Sequence, residues 1–98
     1  MAELILISWR GIPAQLLARE GRRTLRHELS PRFAQAIDRA AMRGGARDEA
    51  AYLEGWVRAP LGTEEGDPAA ALAERAALIE AEYDEDRLFA LVESGGAA

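Results

Sequence analysis

The chain has 98 residues, no cysteine, no lysine among its twelve basic residues, and a net charge of −5. That length suits one domain, and the missing cysteines exclude disulfide staples, thiolate metal sites and thiol nucleophiles. No apolar run approaches the roughly 18 residues that span a bilayer, and Glu3 stands where a secretory leader would carry basic residues, so neither a membrane span nor a cleaved leader is expected. A cytoplasmic protein is the default reading.

The first predicted element is a strand over Glu3 to Trp9, because Leu4-Ile5-Leu6-Ile7 is an unbroken apolar run of strand length. Gly11-Ile12-Pro13 breaks it. Ala14 to Glu20 and Arg22 to Leu29 read as two strands of a hairpin turning at Glu20-Gly21-Arg22, where glycine tolerates the left-handed backbone such turns use. On the second strand Arg23, Leu25, His27 and Leu29 share the inward face.

Ser30-Pro31 is a helix start, since serine caps free amides and proline costs nothing at the first helical position. The first helix is predicted from Pro31 to about Arg43, burying Phe33, Ala36, Ile37, Ala40 and Ala41 and stopping at Gly44-Gly45. Asp48 opens a second helix carrying Ala51, Tyr52, Leu53, Trp56 and Val57, which ends near Ala59 ahead of Pro60. Leu61 to Asp67 is a polar loop, and Asp67-Pro68 starts a third helix marked by Leu72, Arg75, Ala76 and Ile79. A kink at Tyr83 to Asp86 leads to a last helical stretch through Leu88, Phe89, Leu91 and Val92.

The expected architecture is α+β: a three-stranded antiparallel sheet, made of the N-terminal strand and the hairpin, followed by three to four helices packed on one face. It forms a single domain over residues 1 to 94, with a disordered tail over 95 to 98.

Charge is divided along the chain. Residues 1 to 47 hold nine arginines against four acids, a balance of +5, and residues 48 to 98 carry −10. Either the acidic helices fold back onto the basic hairpin, or Arg19, Arg22, Arg23, Arg26 and Arg32 form an exposed patch for an anionic ligand or an acidic protein surface. The overall acidity and the lack of aromatic residues among the arginines argue against nucleic acid.

Catalytic signatures are missing. No phosphate-cradling glycine loop, nucleophile elbow or metalloprotease pair occurs, and Asp84-Glu85-Asp86 lacks the alternation and glycine of a calcium loop, so it reads as a solvated helix start. His27, the sole histidine, cannot build a histidine metal site. No catalytic residue, metal site or cofactor is assigned. Trp9-Arg10-Gly11-Ile12-Pro13 places an aromatic plate beside a guanidinium at a constrained turn, which suits a partner site unless Trp9 closes the core edge with Trp56 as its neighbour. The candidate binding residues are Trp9, Arg10, Arg22, Arg23, Arg26, His27 and Trp56.

The segments LILISWRGIPAQ, LSPRFAQAIDRAAMRGG and AYLEGW, spread over Glu3 to Arg58, resemble a small bacterial family labelled "virulence factor". Gly11 departs from that pattern, which carries a polar or acidic residue there. Related modules occur in longer proteins with a NifU-type scaffold region, and stand-alone versions are associated with corrinoid- and folate-dependent methyl-transfer enzymes. The resemblance implies an accessory protein. The leading expectation is thus a non-catalytic module docking on a cytoplasmic enzyme through the Trp9/Arg10 turn and the hairpin arginines. The alternatives are a small anionic-ligand binder using Arg10, Arg26 and His27, and, more weakly, a nucleic-acid accessory factor.

Overall fold

A computed structural model describes residues 1–43 and 49–97. The chain runs β1 (Ala2–Trp9), β2 (Ile12–Glu20), β3 (Arg23–Glu28), α1 (Pro31–Arg43), α2 (Glu49–Glu54), β4 (Trp56–Glu64), α3 (Pro68–Glu82) and α4 (Glu85–Glu93). The class is α+β with an antiparallel sheet and four helices, but the sheet has four strands in the order β3-β2-β1-β4, where three were expected.

The added strand corrects the reading of residues 56 to 64. The sequence predicts helix at Trp56 and Val57 and loop over 61 to 67, whereas helix α2 stops at Glu54 and the chain pairs along the whole of β1, from Trp56 beside Trp9 to Glu64 beside Ala2. In the sequence Pro60 has the look of a helix terminator. In fact it sits opposite Ile5 on an edge strand, next to a register shift, where a missing N–H costs least. Six of the nine residues of β4, Val57 to Pro60 with Gly62 and Thr63, are exposed, so the strand lacks the alternation that marks a half-buried one.

Elsewhere local signals coincide with structure. Gly21 holds φ 62° in the tight turn between β2 and β3. Helix α1 buries Phe33, Ala36, Ile37, Ala40 and Ala41, the predicted stripe. The Asp67 carboxylate accepts from the Ala69 N–H at the start of α3, and the Asp84 carboxylate accepts from the Arg87 N–H, which makes Asp84 to Asp86 a helix start. The predicted stop at Gly44-Gly45 and cap at Asp48 lie outside the described residues.

Strand period decides what each sheet face does. Leu4, Leu16 and Ala18 point into one core with Phe33, Leu72, Ile79 and Leu88 from the helices. Ile5 and Leu17 alternate with them and stand outside that cluster, on the face the helices leave open. Among the described residues no helix is long and apolar enough to cross a membrane.

At one end of the sheet the first strand meets the last helix. Residues expected to form a loose tail fold back there: the Gly11 N–H donates to the Gly96 carbonyl at 2.7 Å and the Gly96 N–H to the Leu91 carbonyl at 2.7 Å, with Gly95 and Gly96 buried. Beside them, Gly55 lies so close to the Trp9 indole that a Cβ would stand 2.4 Å from Nε1. Gly55→Ala should therefore destabilise the fold by roughly 1–3 kcal/mol or more through overpacking, which urea unfolding followed by far-UV circular dichroism would measure.

Candidate interaction surface

The arginines that the sequence groups together are separated by structure into two sets. Arg32 is half-buried and fully engaged: its guanidinium donates to the Glu80 carboxylate at 3.0 Å, to the Glu80 carbonyl at 2.7 Å and to the Tyr83 carbonyl, and it lies 4.5 Å over the Phe33 ring. Ser30 completes this junction by donating its N–H and its hydroxyl to the same carboxylate, at 2.7 and 2.8 Å. Burial alone would raise the Glu80 carboxyl, but the bonds from Ser30 and Arg32 and the Arg32 charge outweigh it and hold Glu80 below the usual carboxylate range. Arg43 pairs with Glu93. Basic first half and acidic second half thus do meet, through α1.

The hairpin is the other set. Arg22, Arg23 and Arg26 are exposed, and among the described residues none of them forms an ion pair. Arg19, once grouped with them, is tied to Glu3 at 3.0 Å. No acid of α3 or α4 reaches the hairpin arginines, so the internal-neutralisation reading holds for α1 and fails for the hairpin.

Register extends this basic tip across the open sheet face. Arg26 stands opposite Leu17, Leu17 opposite Ile5, and Ile5 opposite Pro60, so one cross-strand row reads cation, apolar, apolar, apolar. In the next row Glu28 stands opposite Gln15, Gln15 opposite Ile7 and Ile7 opposite Arg58, so it reads anion, amide, apolar, cation. Partners at such positions have Cβ atoms about 5 Å apart, close enough for arginine stems to lie over the neighbouring aliphatic groups. Ile5 and Leu17 are themselves buried, at 5% and 6% exposure. The open face thus carries an apolar row that ends in Arg26 on one edge strand and a neighbouring row that ends in Arg58 on the other, while Arg22 lies in the hairpin turn and Arg23 alternates to the side of His27.

The remaining predicted residues take other places. Trp9 is fully buried: its indole N–H donates to the Tyr52 carbonyl at 2.8 Å and its ring stacks on Tyr52 at 5.9 Å, so it closes the core edge and offers no plate to a partner. Arg10, at φ 51°, lies 4.5 Å over the Trp9 ring and donates to the Gly95 carbonyl at 2.7 Å. It clasps the C-terminal turn. Trp56 is half-buried, edge-on to Tyr52 at 6.0 Å. His27 is half-buried beside Leu16 on the helix-facing side, whereas Arg26 faces the other way, so Arg10, Arg26 and His27 are not gathered into one anion site. Arg58 had been placed at a helix end, and its place on the open face could be recognised only once residues 56 to 64 were known to be a strand. Among the described residues no group of three His, Cys, Asp or Glu side chains could hold a metal ion.

A family model described as "Virulence factor" matches residues 7–92. No curated protein and no solved structure matches the chain.

The Ser30–Arg32–Glu80 junction predicts an acid-sensitive fold. A carboxylate whose folded value is depressed contributes stability above its ordinary value of 4.5 and loses it as pH falls through the folded value. Glu80→Gln should cost roughly 1–2 kcal/mol at pH 7, and its difference from the wild type should shrink at pH 3, as paired denaturant melts at the two pH values would record.

Proposed function

The chain belongs to the virulence factor family, and we propose that it works as a non-catalytic interaction module that docks an acidic protein surface against its hairpin arginines and open sheet face. The observation that carries this reading is the exposure of Arg22, Arg23 and Arg26 without internal ion pairs, in a chain whose other half has acids to spare. Unpaired cations supply steering by charge, and the half-buried Ile7 and exposed Pro60 supply the aliphatic area a partner would desolvate, Ile5 and Leu17 being buried already. Trp9, engaged inside the fold, drops out of the docking set, and Arg58 enters it. That the partner is a cytoplasmic enzyme, of corrinoid- or folate-dependent methyl transfer, is an extension that rests on the family resemblance alone.

Both sheet edges favour contact through the face over strand addition. Strand β4 carries Pro60 and a register shift, and the short β3 carries Arg23 and Arg26, devices that blunt edges. Charge reversal at Arg22→Glu, Arg23→Glu and Arg26→Glu together should leave the melting temperature nearly unchanged, because the three exposed side chains make no ion pair among the described residues. The same variant should weaken capture of the partner by roughly tenfold in a pull-down at low salt. Recovery of the same partners in the same amounts by the folded triple variant would overturn the reading.

A further inference from the structure

The helical side of the molecule carries a wide groove, about 780 Å³ between α1 and α4. Arg32, at the start of α1, donates to the Tyr83 carbonyl just ahead of α4, and Arg43, at its end, pairs with Glu93 at the end of α4, so the two helices run side by side in the same direction. Their walls differ in sign. On α1 the wall is Gln35, Arg39 and Met42, and on α4 it is Glu85, Phe89 and Glu93, each set at the spacing of one helix face. Buried Ala36 and Leu88 line the groove beneath them.

Exposed apolar area collects here. Met42 and Phe89 are each 65% exposed, and Phe89 is the only exposed aromatic residue of the chain. Methionine and aromatic side chains of this kind are the ones that protein interfaces take out of water. Charge is also left over: Arg43 is paired with Glu93, whereas the side chains of Arg39 and Glu85 make no ion pair or hydrogen bond among the described residues.

An occupant of one charge would be repelled by one wall or the other, so the groove asks for an acidic row on α1 and a basic row on α4. The chain owns both rows, in α4 and α1 themselves. A two-fold axis lying along the groove turns a second copy face to face with the first, keeps all four helices pointing the same way, and sets each copy's α4 on the other's α1. Because the starts of α1 and α4 lie together and their ends do too, the levels agree: Phe89 of one copy comes to the Arg39 and Met42 stretch of the other, with Glu85 one turn away. An axis across the groove would instead lay α1 on α1 and α4 on α4, like charge on like.

We infer that the α1–α4 groove is the contact surface for a second copy of this chain, with Phe89 as its apolar anchor and Arg39 facing Glu85 as its charge pair. The surface lies on the helical side of the sheet, so the dimer leaves Arg26 and Arg58 on the open face free and stands whether or not that face docks a protein.

Sedimentation equilibrium of the whole chain up to about 500 µM tests this, with a Kd on the order of 10 µM expected for so small a contact. The sedimenting mass should rise with concentration towards twice the 10.6 kDa of one chain. Phe89→Ser should weaken the dimer at least about tenfold with an unchanged far-UV circular dichroism spectrum, and Leu78→Ser, an exposed apolar loss on α3 outside the groove, should not. Arg39→Glu and Glu85→Arg should each be monomeric alone, since either homodimer holds two like-charged pairs. An equimolar mixture of the two should dimerise again, because the mixed dimer holds two opposite pairs, and no change within a single chain produces that recovery. A chain that stays monomeric to about 500 µM, a dimer indifferent to Phe89→Ser or to the charge reversals, or charge variants that stay apart when mixed overturns the inference.

Discussion

The end of the fold that joins sheet, helices and C-terminus is organised around one indole. Trp9 belongs to β1, yet its ring stacks on Tyr52 of α2, its N–H is capped by the Tyr52 carbonyl, and Gly55 presses against it at the start of β4. The guanidinium of the next residue covers the same ring and reaches the Gly95 carbonyl. The rest of the described core is mostly leucine, isoleucine and alanine, and of its two aromatic residues only Trp9 reaches this end of the sheet. That one large ring joins four segments. The short helix α2, with no buried residue of its own, is placed by this contact through its half-buried Tyr52.

The same indole explains why the sequence was hard to read here. An aromatic residue beside an arginine at a turn looks equally like a docking plate and like a core edge, and only the position of Tyr52, 43 residues away, separates the two. Strand β4 escaped for a related reason. Its side chains are mostly exposed, its proline resembles a helix stop, and what makes it a strand is the free edge of β1, a partner no local pattern records. By contrast α1, the hairpin and the starts of α3 and α4 could be read from residues in contact within a few positions: a serine or aspartate cap, a proline, a glycine, a stripe at helical spacing. The surface divides in the same way. That the hairpin is basic follows from sequence alone. That Arg58 shares the open face with Arg26 does not, because it depends on two cross-strand registers.

Charge division along the chain gains a physical meaning from this arrangement. Two helix-borne arginines, Arg32 and Arg43, meet acids from α3 and α4 and help seat those helices. Arg32 is the more consequential, because its partner carboxylate also takes both donors of Ser30 at the start of α1, so one ionised group ties the entry of α1 to the exit of α3. Exposed pairs contribute little, but this junction shields its members and satisfies backbone groups as well as charges.

The hairpin arginines have no such use, and their cost to the fold is correspondingly small: three exposed cations at the end of a two-stranded ribbon repel one another weakly through water and screening salt. Selection for stability alone would place some of the thirteen acids of the second half within their reach, as it has for Arg32 and Arg43. Instead nine of those acids lie in α3, α4 and the loops that precede them, so the molecule carries a basic hairpin tip and acidic later helices. A folded dipole of this kind orients the protein in the field of a charged partner before contact, and the apolar row through Leu17 and Ile5 lies where that orientation would bring the two surfaces together.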